Sequence, residues 1–258
     1  MRKSVICIPI EWKKFFKSKL PLTGLLAFSL LPFAAGFFMF VLKDPELAEN
    51  LGVISTKAQI LGIASWSSYL DSLAQAISIG GLFVFGFSTA WIFGREYSDQ
   101  TIKDLLALPI PRSVIVLSKF TVVFLWCCIL SVAVFITSLI VGYFVELPGS
   151  SLNVLLQGIE TFIISSLLTI SLSTPVAFFA SVGRGFLPPL TFIIIAVVFS
   201  QLIAAIGYGE FFPWSIPALA SGITGVPILN PVSIVIVILM SLLGILATTA
   251  WWKYADQT

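Results

Sequence analysis

The chain has 258 residues, of which 58% are apolar and 10% charged, too few charges to cover a water-soluble surface, where about 25% is usual, so it belongs in a bilayer. A formal net charge of +2 argues against a polybasic nucleic-acid binder. The absence of histidine excludes His-based zinc or haem sites and Ser-His-Asp triads, and the spacing of Cys7, Cys127 and Cys128 fits no metal site or disulfide framework.

The first element predicted is a helix over Pro9 to Lys19. On a 100° wheel Trp12, Phe15 and Phe16 fall together, Lys13, Lys14 and Lys17 gather opposite them, and Pro9 suits a first helical turn. This pattern fits an interfacial helix within residues 1–19 whose lysines meet anionic headgroups, and equally a plain basic flank that sets topology. Leu20 to Leu42 follows without a charge; its 23 residues would rise about 35 Å, enough to cross a core of about 30 Å. It is too long for the h-region of a signal peptide, about 7 to 15 residues, and reads as an uncleaved span.

Further spans are expected at about 73–94, 113–145, 152–182, 186–206 and 232–252. The third exceeds one crossing and must tilt or project. Pro175 predicts a kink late in the fourth, and the turn Gly183-Arg184-Gly185 makes the fourth and fifth a tight hairpin. Residues 207–231 are apolar, but Pro213, Pro217 and Pro227 interrupt them. They are expected as a re-entrant outer segment of short helices, with Tyr208 and Trp214 at headgroup level. The fold class is therefore an all-α polytopic membrane protein of six transmembrane helices forming a single domain.

Placing the amino terminus in the cytoplasm puts 12 of the 14 basic residues inside: Arg2, Lys3, Lys13, Lys14, Lys17, Lys19, Arg95, Lys103, Arg112, Lys119, Arg184 and Lys253. Only Lys43 and Lys57 remain outside, with the acids Asp44, Glu46, Glu49, Asp71, Glu146 and Glu210. Glu11, Glu96, Asp99, Asp104 and Asp256 are the inner acids. This asymmetry predicts a plasma-membrane protein with both termini cytoplasmic.

The inner loop between spans two and three carries the most information. Ile102, Leu105, Leu106 and Pro109 recur at i, i+3, i+4 and i+7, the apolar face of a short helix at about 96–108, with Asp99, Lys103 and Asp104 opposite. Pro109 and Pro111 end it. Such a helix suits docking into a groove on a soluble partner; a loop lying back on the lipid is the alternative.

These residues resemble a known family. Phe93-Gly94-Arg95-Glu96-Tyr97, then Thr101-Ile102-Lys103-Asp104-Leu105-Leu106, then Leu108-Pro109-Ile110-Pro111-Arg112 and Lys119 look like the permease subunits of type-2 ABC exporters of the bacitracin-resistance and lantibiotic-immunity kind. The resemblance implies that the 96–108 helix is a coupling helix seated on a separate ATPase subunit. It places Glu96 where span two joins that helix, with Arg95, Arg112 and Lys119 framing it, and counts Tyr97 and Thr101 among the residues that couple to the ATPase. Arg184 matches a second, smaller inner contact. A second permease, identical or paralogous, would complete the path. No phosphate-binding Gly-x-x-x-x-Gly-Lys-Ser/Thr loop and no Gly-Lys dipeptide occur, so the chain is expected to bind no cofactor; ATP and Mg would sit on the partner. Export, rather than import, follows from the resemblance.

Glu160 is the one acid inside an apolar span, where a charge is costly unless it is paired or hydrated. It either lines a path or meets water about 12 Å along the helix from its outer end. Gln157, Ser165 and Thr169 accompany it as path or interhelical polar contacts. An apolar interior with few fixed charges favours an amphipathic or hydrophobic substrate. No constellation for intramembrane catalysis is present. A secondary transporter lacks support because the first three spans show no inverted pairing with the last three, and a sensory or structural subunit is the remaining alternative.

Overall fold

A backbone in hydrocarbon must satisfy each N–H and C=O within its own segment, so the long apolar runs can fold only as helices. The computed structural model describes residues 2–44, 64–107 and 109–255, with side chains from residue 7 onward except that of Leu106. Expectations resting on Glu46, Glu49, Lys57, Leu108 and Asp256, and on the side chains of Arg2, Lys3 and Leu106, lie outside the described residues.

Among the described residues, six helical stretches are long and apolar enough to cross a membrane. They are α2 (Leu20–Lys43), α3 (Trp66–Ser98), α5 (Arg112–Phe144), the pair α6 (Leu152–Leu172) and α7 (Thr174–Val182), α8 (Leu187–Ala205) and α10 (Pro231–Tyr254). An additional helix, α1 (Arg2–Phe16), precedes them, and α4 (Ile102–Leu106) lies between α3 and α5. Two 3-10 turns, Gly209–Phe211 and Pro213–Ser215, and α9 (Ile216–Ala220) lie between α8 and α10.

α3 is the central post. Tyr69, Leu73, Ile77, Phe85 and Phe93 are buried along its length, and α6 runs beside it as its most extensive neighbour. Gly158 of α6 allows this approach, since a Cβ there would meet the Leu70 side chain at 2.4 Å. Dispersion packing through small residues is what draws helices together where lipid removes the hydrophobic drive. α2 packs on α5, and α10 on α7.

The kink predicted from Pro175 is present. Pro175 has no N–H to donate, and the helix breaks at Ser173, between α6 and α7. The Thr174 hydroxyl lies 2.9 Å from the Ser171 carbonyl and 3.1 Å from that of Ser241, tying the break to α10. Gly244 of α10 lies against this elbow, where a Cβ would meet the Pro175 nitrogen at 2.6 Å.

Two expectations need correction. α1 begins at Arg2, which leaves Pro9 inside the helix rather than in its first turn. Span two runs from Trp66 to Ser98, well beyond 73–94, because Ser65 caps it by accepting from the Ser68 N–H at 3.3 Å and the polar residues at both ends stay helical. Trp214 is half-buried, its ring edge-on to Phe192 at 5.3 Å and beside Phe212 at 5.5 Å, whereas Tyr208 is exposed. The segment before the last span turns into the bundle. All of α9 is buried against α3 and α6, and Ser78 of α3 donates to the Pro217 carbonyl at 2.9 Å.

Because the atoms facing Gly244 are backbone, Gly244→Val should lower the thermal unfolding midpoint of the detergent-solubilised protein by several degrees. Gly80→Ala, at a position with nothing within 4 Å of the added carbon, should leave it unchanged. Size-exclusion chromatography after a temperature series measures both.

Candidate functional site

The site lies at the end of the bundle that carries both described chain ends, and it begins with the way α3 stops. Gln100 takes a left-handed conformation, φ 56°. The Thr101 N–H then returns to the Glu96 carbonyl at 3.0 Å, the Schellman closure of a helix end. This reversal brings the Thr101 hydroxyl to the Glu96 carboxylate, where it donates to Oε2 at 2.7 Å. Glu96 and Tyr97 thus belong to the last turn of α3, and the separate helix spans only Ile102–Leu106, not 96–108. Pro109 and Pro111 bar its continuation.

The other Glu96 oxygen meets a buried ammonium. Lys119, in the second turn of α5 and 1% exposed, donates to Glu96 Oε1 at 2.9 Å, to Glu11 Oε2 at 2.9 Å and to the Ile92 carbonyl at 3.2 Å. Those three acceptors use all three ammonium protons. Lys14, one turn beyond Glu11 on α1, also donates to Glu96 Oε1 and lies 3.9 Å from Glu11. The four charges sum to zero, and Glu96 is 2% and Glu11 8% exposed. The cluster joins three elements: α1 through Glu11 and Lys14, α3 through Glu96, and α5 through Lys119. Aromatic packing reinforces it, with Phe15 and Phe16 of α1 set edge-on to Trp126 of α5 at 5.1 and 5.7 Å.

Of Arg95, Arg112 and Lys119, the residues predicted to frame Glu96, only Lys119 touches it, and Thr101 joins it there. Arg95 turns instead to Asp99 at 2.9 Å and to the Lys14 carbonyl at 3.4 Å. Arg112 donates to the Trp252 and Lys253 carbonyls at 3.0 and 3.4 Å, capping α10 where its dipole is negative. Arg184 occupies the turn between α7 and α8 with φ 49°. Gly183 serves close approach, since a Cβ there would meet Pro188 at 2.3 Å, and so does Gly94 of α3, whose Cβ position lies 3.0 Å from the Gly185 carbonyl. The turn thus packs on the end of α3, with Phe186 stacked on Trp91 at 5.1 Å and the Arg184 charge near Tyr97.

α4 differs from its expected presentation. Ile102 is 7% exposed and Leu105 packs beside it on the same core cluster, so the apolar face is turned inward. Lys103, Asp104, Ala107 and Pro109 are exposed, as are Asp99, Gln100 and Pro111 on either side of them. A helix at the bundle end buries its apolar side on whatever apolar surface is nearest, here its own chain.

Glu11 and Lys14 were not predicted as site residues. The available signal was that Glu11 is the single acid among the first 43 residues. The structure pairs that acid with the buried Lys119 at 2.9 Å.

The polar residues proposed within span four do not form one group. Gln157 and Glu160 are exposed and line a cavity at the opposite end of the bundle. Ser165 and Thr169 are buried, with Thr169 donating to the Ser165 carbonyl at 2.7 Å. Thr169 also lies 3.4 Å from the Cβ position of Gly81 on α3, which makes it an interhelical contact.

Six spans, a short polar-faced loop helix and a charge cluster at its root define a multi-pass membrane protein whose organised polar site lies at the end bearing its described termini. The family model described as ABC-2 family transporter protein matches residues 7–201, and the chain belongs to that family. It is similar to the bacitracin transport permease protein BCRB of Bacillus licheniformis, 29% identical over 191 residues that cover 73% of this chain and 91% of that protein. The chain is a membrane permease subunit of an ABC exporter, and the secondary-transporter and sensory readings fall away.

Removing one partner of a buried ion pair costs about 3–5 kcal/mol because the other charge stays buried. Lys119→Met should therefore abolish most of the monodisperse folded protein. Glu11→Gln should be milder, since Glu96 still faces Lys119, and adding Glu11→Gln to Lys119→Met should restore part of the loss. Thermal unfolding of the four proteins measures the series.

Proposed function

We propose that this chain exports an amphipathic or hydrophobic substrate, an antimicrobial peptide in particular, using energy from a separate ATPase subunit that carries ATP and Mg. A second permease, identical or paralogous, completes the pathway, and both termini face the cytoplasm. The peptide substrate is supported by the similarity to the Bacillus licheniformis permease named for bacitracin transport. Orientation is supported by the basic residues collected at the end that holds α1, the loop around α4 and the last turn of α10.

The observation that carries the proposal is the rooting of the α3–α5 loop in the charge cluster. Thr101, one residue before α4, is bonded to Glu96, and Glu96 is bonded to Lys119 of α5 and Lys14 of α1. A push on this loop therefore reaches three helices through charge-assisted hydrogen bonds, which are short and about twice as strong as neutral ones. Coupling needs such a rigid connection between the ATPase surface and the spans. The docking surface is the exposed edge of Lys103, Asp104, Ala107 and Pro109, and Arg184 on the adjoining turn is the second contact. Ile102 and Leu105 act from behind by fixing α4 to the bundle.

Two charges reversed on the exposed edge test this reading without disturbing the core. Lys103→Glu with Asp104→Lys should leave membrane insertion and thermal stability intact while reducing copurification of the ATPase subunit and substrate-stimulated ATP hydrolysis at least tenfold. Full retention of both activities would remove the loop from the docking surface.

A further inference from the structure

Between the first turns of α3, the first turns of α6 and the segment after α9, at the end opposite the charge cluster, lies a cavity of about 430 Å³. That volume falls within the range of sites that take drug-sized ligands, about 300–1,000 Å³. Apolar side chains, Leu70, Ile164 and Leu229 among them, and polar ones, Asp71, Gln157, Glu160 and Thr161 among them, line the cavity together.

The acids lie well inside their helices. Asp71 is five residues into α3 and Glu160 eight residues into α6, about 8 and 12 Å along the respective axes. Asp71 accepts a hydrogen bond from Ser67, a neutral partner. Among the described residues neither carboxylate has an ion-pair partner. Lys43 is the one described base at that end, and it is held by Glu146 at 3.7 Å and by the Val145 and Glu146 carbonyls at 3.2 and 3.1 Å. Both side chains are exposed, which leaves them open to the water or cation that carboxylates at this depth require. A cavity lined both by apolar side chains and by two carboxylates without an ion-pair partner supplies both halves of recognition for one ligand class.

We infer that this cavity is a binding site for a cationic amphiphile, the ammonium or guanidinium group lying between Asp71 and Glu160 and the apolar body against Leu70, Ile164 and Leu229. The inference rests on the exporter reading for its place on the outer face and narrows the substrate class from amphipathic to cationic. α9 is buried against both helices, and Ser78 of α3 bonds the Pro217 carbonyl, so the segment from Ala220 to Leu229 is attached to a fixed support. The site is thereby formed by one chain, without a second copy.

Binding is measurable on the permease alone, without its ATPase. The probe is rhodamine 6G, a permanently cationic fluorescent amphiphile, titrated by fluorescence anisotropy against the full chain in phosphatidylcholine nanodiscs; an uncharged dye of similar size serves as control. Asp71→Asn and Glu160→Gln should each weaken rhodamine 6G binding about tenfold, and the double variant more, with the neutral dye unaffected. Glu160→Asp should retain most of the affinity. Thr161→Trp, which fills the cavity and keeps both charges, should block both dyes. Unchanged rhodamine 6G affinity in the double variant, or equal loss of both dyes on removal of the acids, overturns the site. If Asp71→Asn fails to fold, Glu160→Gln and Thr161→Trp decide the matter by the same criteria. Because no nucleotide is involved, a permease that binds the cation but never couples to an ATPase would refute the exporter reading and leave the site standing.

Discussion

A lysine ammonium with no access to water must find acceptors for all three of its protons and a compensating negative charge, or it must not be there. Lys119 meets this requirement through residues from two other helices, Glu96 on α3 and Glu11 on α1, and through the carbonyl of Ile92. Much of the bundle end follows. α1 cannot swing free along the membrane surface, because Glu11 would leave Lys119 with one carboxylate and Lys14 would lose Glu96. α3 must extend through Glu96, which carries the helix beyond what its apolar run alone would support. The loop must turn back at Gln100, because Thr101 satisfies the second oxygen of Glu96.

The cluster makes one mechanical unit of elements that are far apart in sequence. Its members come from residues 11, 14, 96, 101 and 119, and the aromatic contact of Phe15 and Phe16 with Trp126 lies beside it. The neighbouring α7–α8 turn joins the same end through Phe186 on Trp91 and the close approach of Gly94 to Gly185. From there, α3 runs the full depth of the bundle in contact with α6, whose first turns border the acidic cavity at the other end. The charge cluster and the cavity thus sit at opposite ends of the same closely packed helix pair, which gives a direct structural connection between them.

The helical spans were largely legible in the sequence. Six apolar stretches, the interruption at Pro175 and the tight turn before span five all reappear, because hydrocarbon leaves a backbone few choices. The site was legible in part. Glu96, Thr101 and Lys119 were named from a resemblance and are in contact. Arg95 and Arg112 were named with them, yet they serve Asp99 and the end of α10. A basic residue near a membrane boundary satisfies topology whichever acceptor it finds, so composition does not distinguish a partner to Glu96 from a helix cap. Glu11 and Lys14 were missed because their helix was read as a surface element, with all its lysines facing outward.

What the sequence by itself determined is the number of spans, the segregation of charge between the two ends, and the presence of a short helix-forming stretch after span two. These depend on local composition and on the bilayer's demand for internally bonded backbone. Only the tertiary structure decided which way that short helix faces and which charges pair. Ile102 and Leu105 have the periodicity of a docking face, but whether that face meets a partner or the chain's own core depends on apolar surface supplied by distant residues. Likewise Asp71 and Glu160 are 89 positions apart in the sequence. They share a cavity because α3 and α6 run side by side, and helix packing, not periodicity, sets that adjacency.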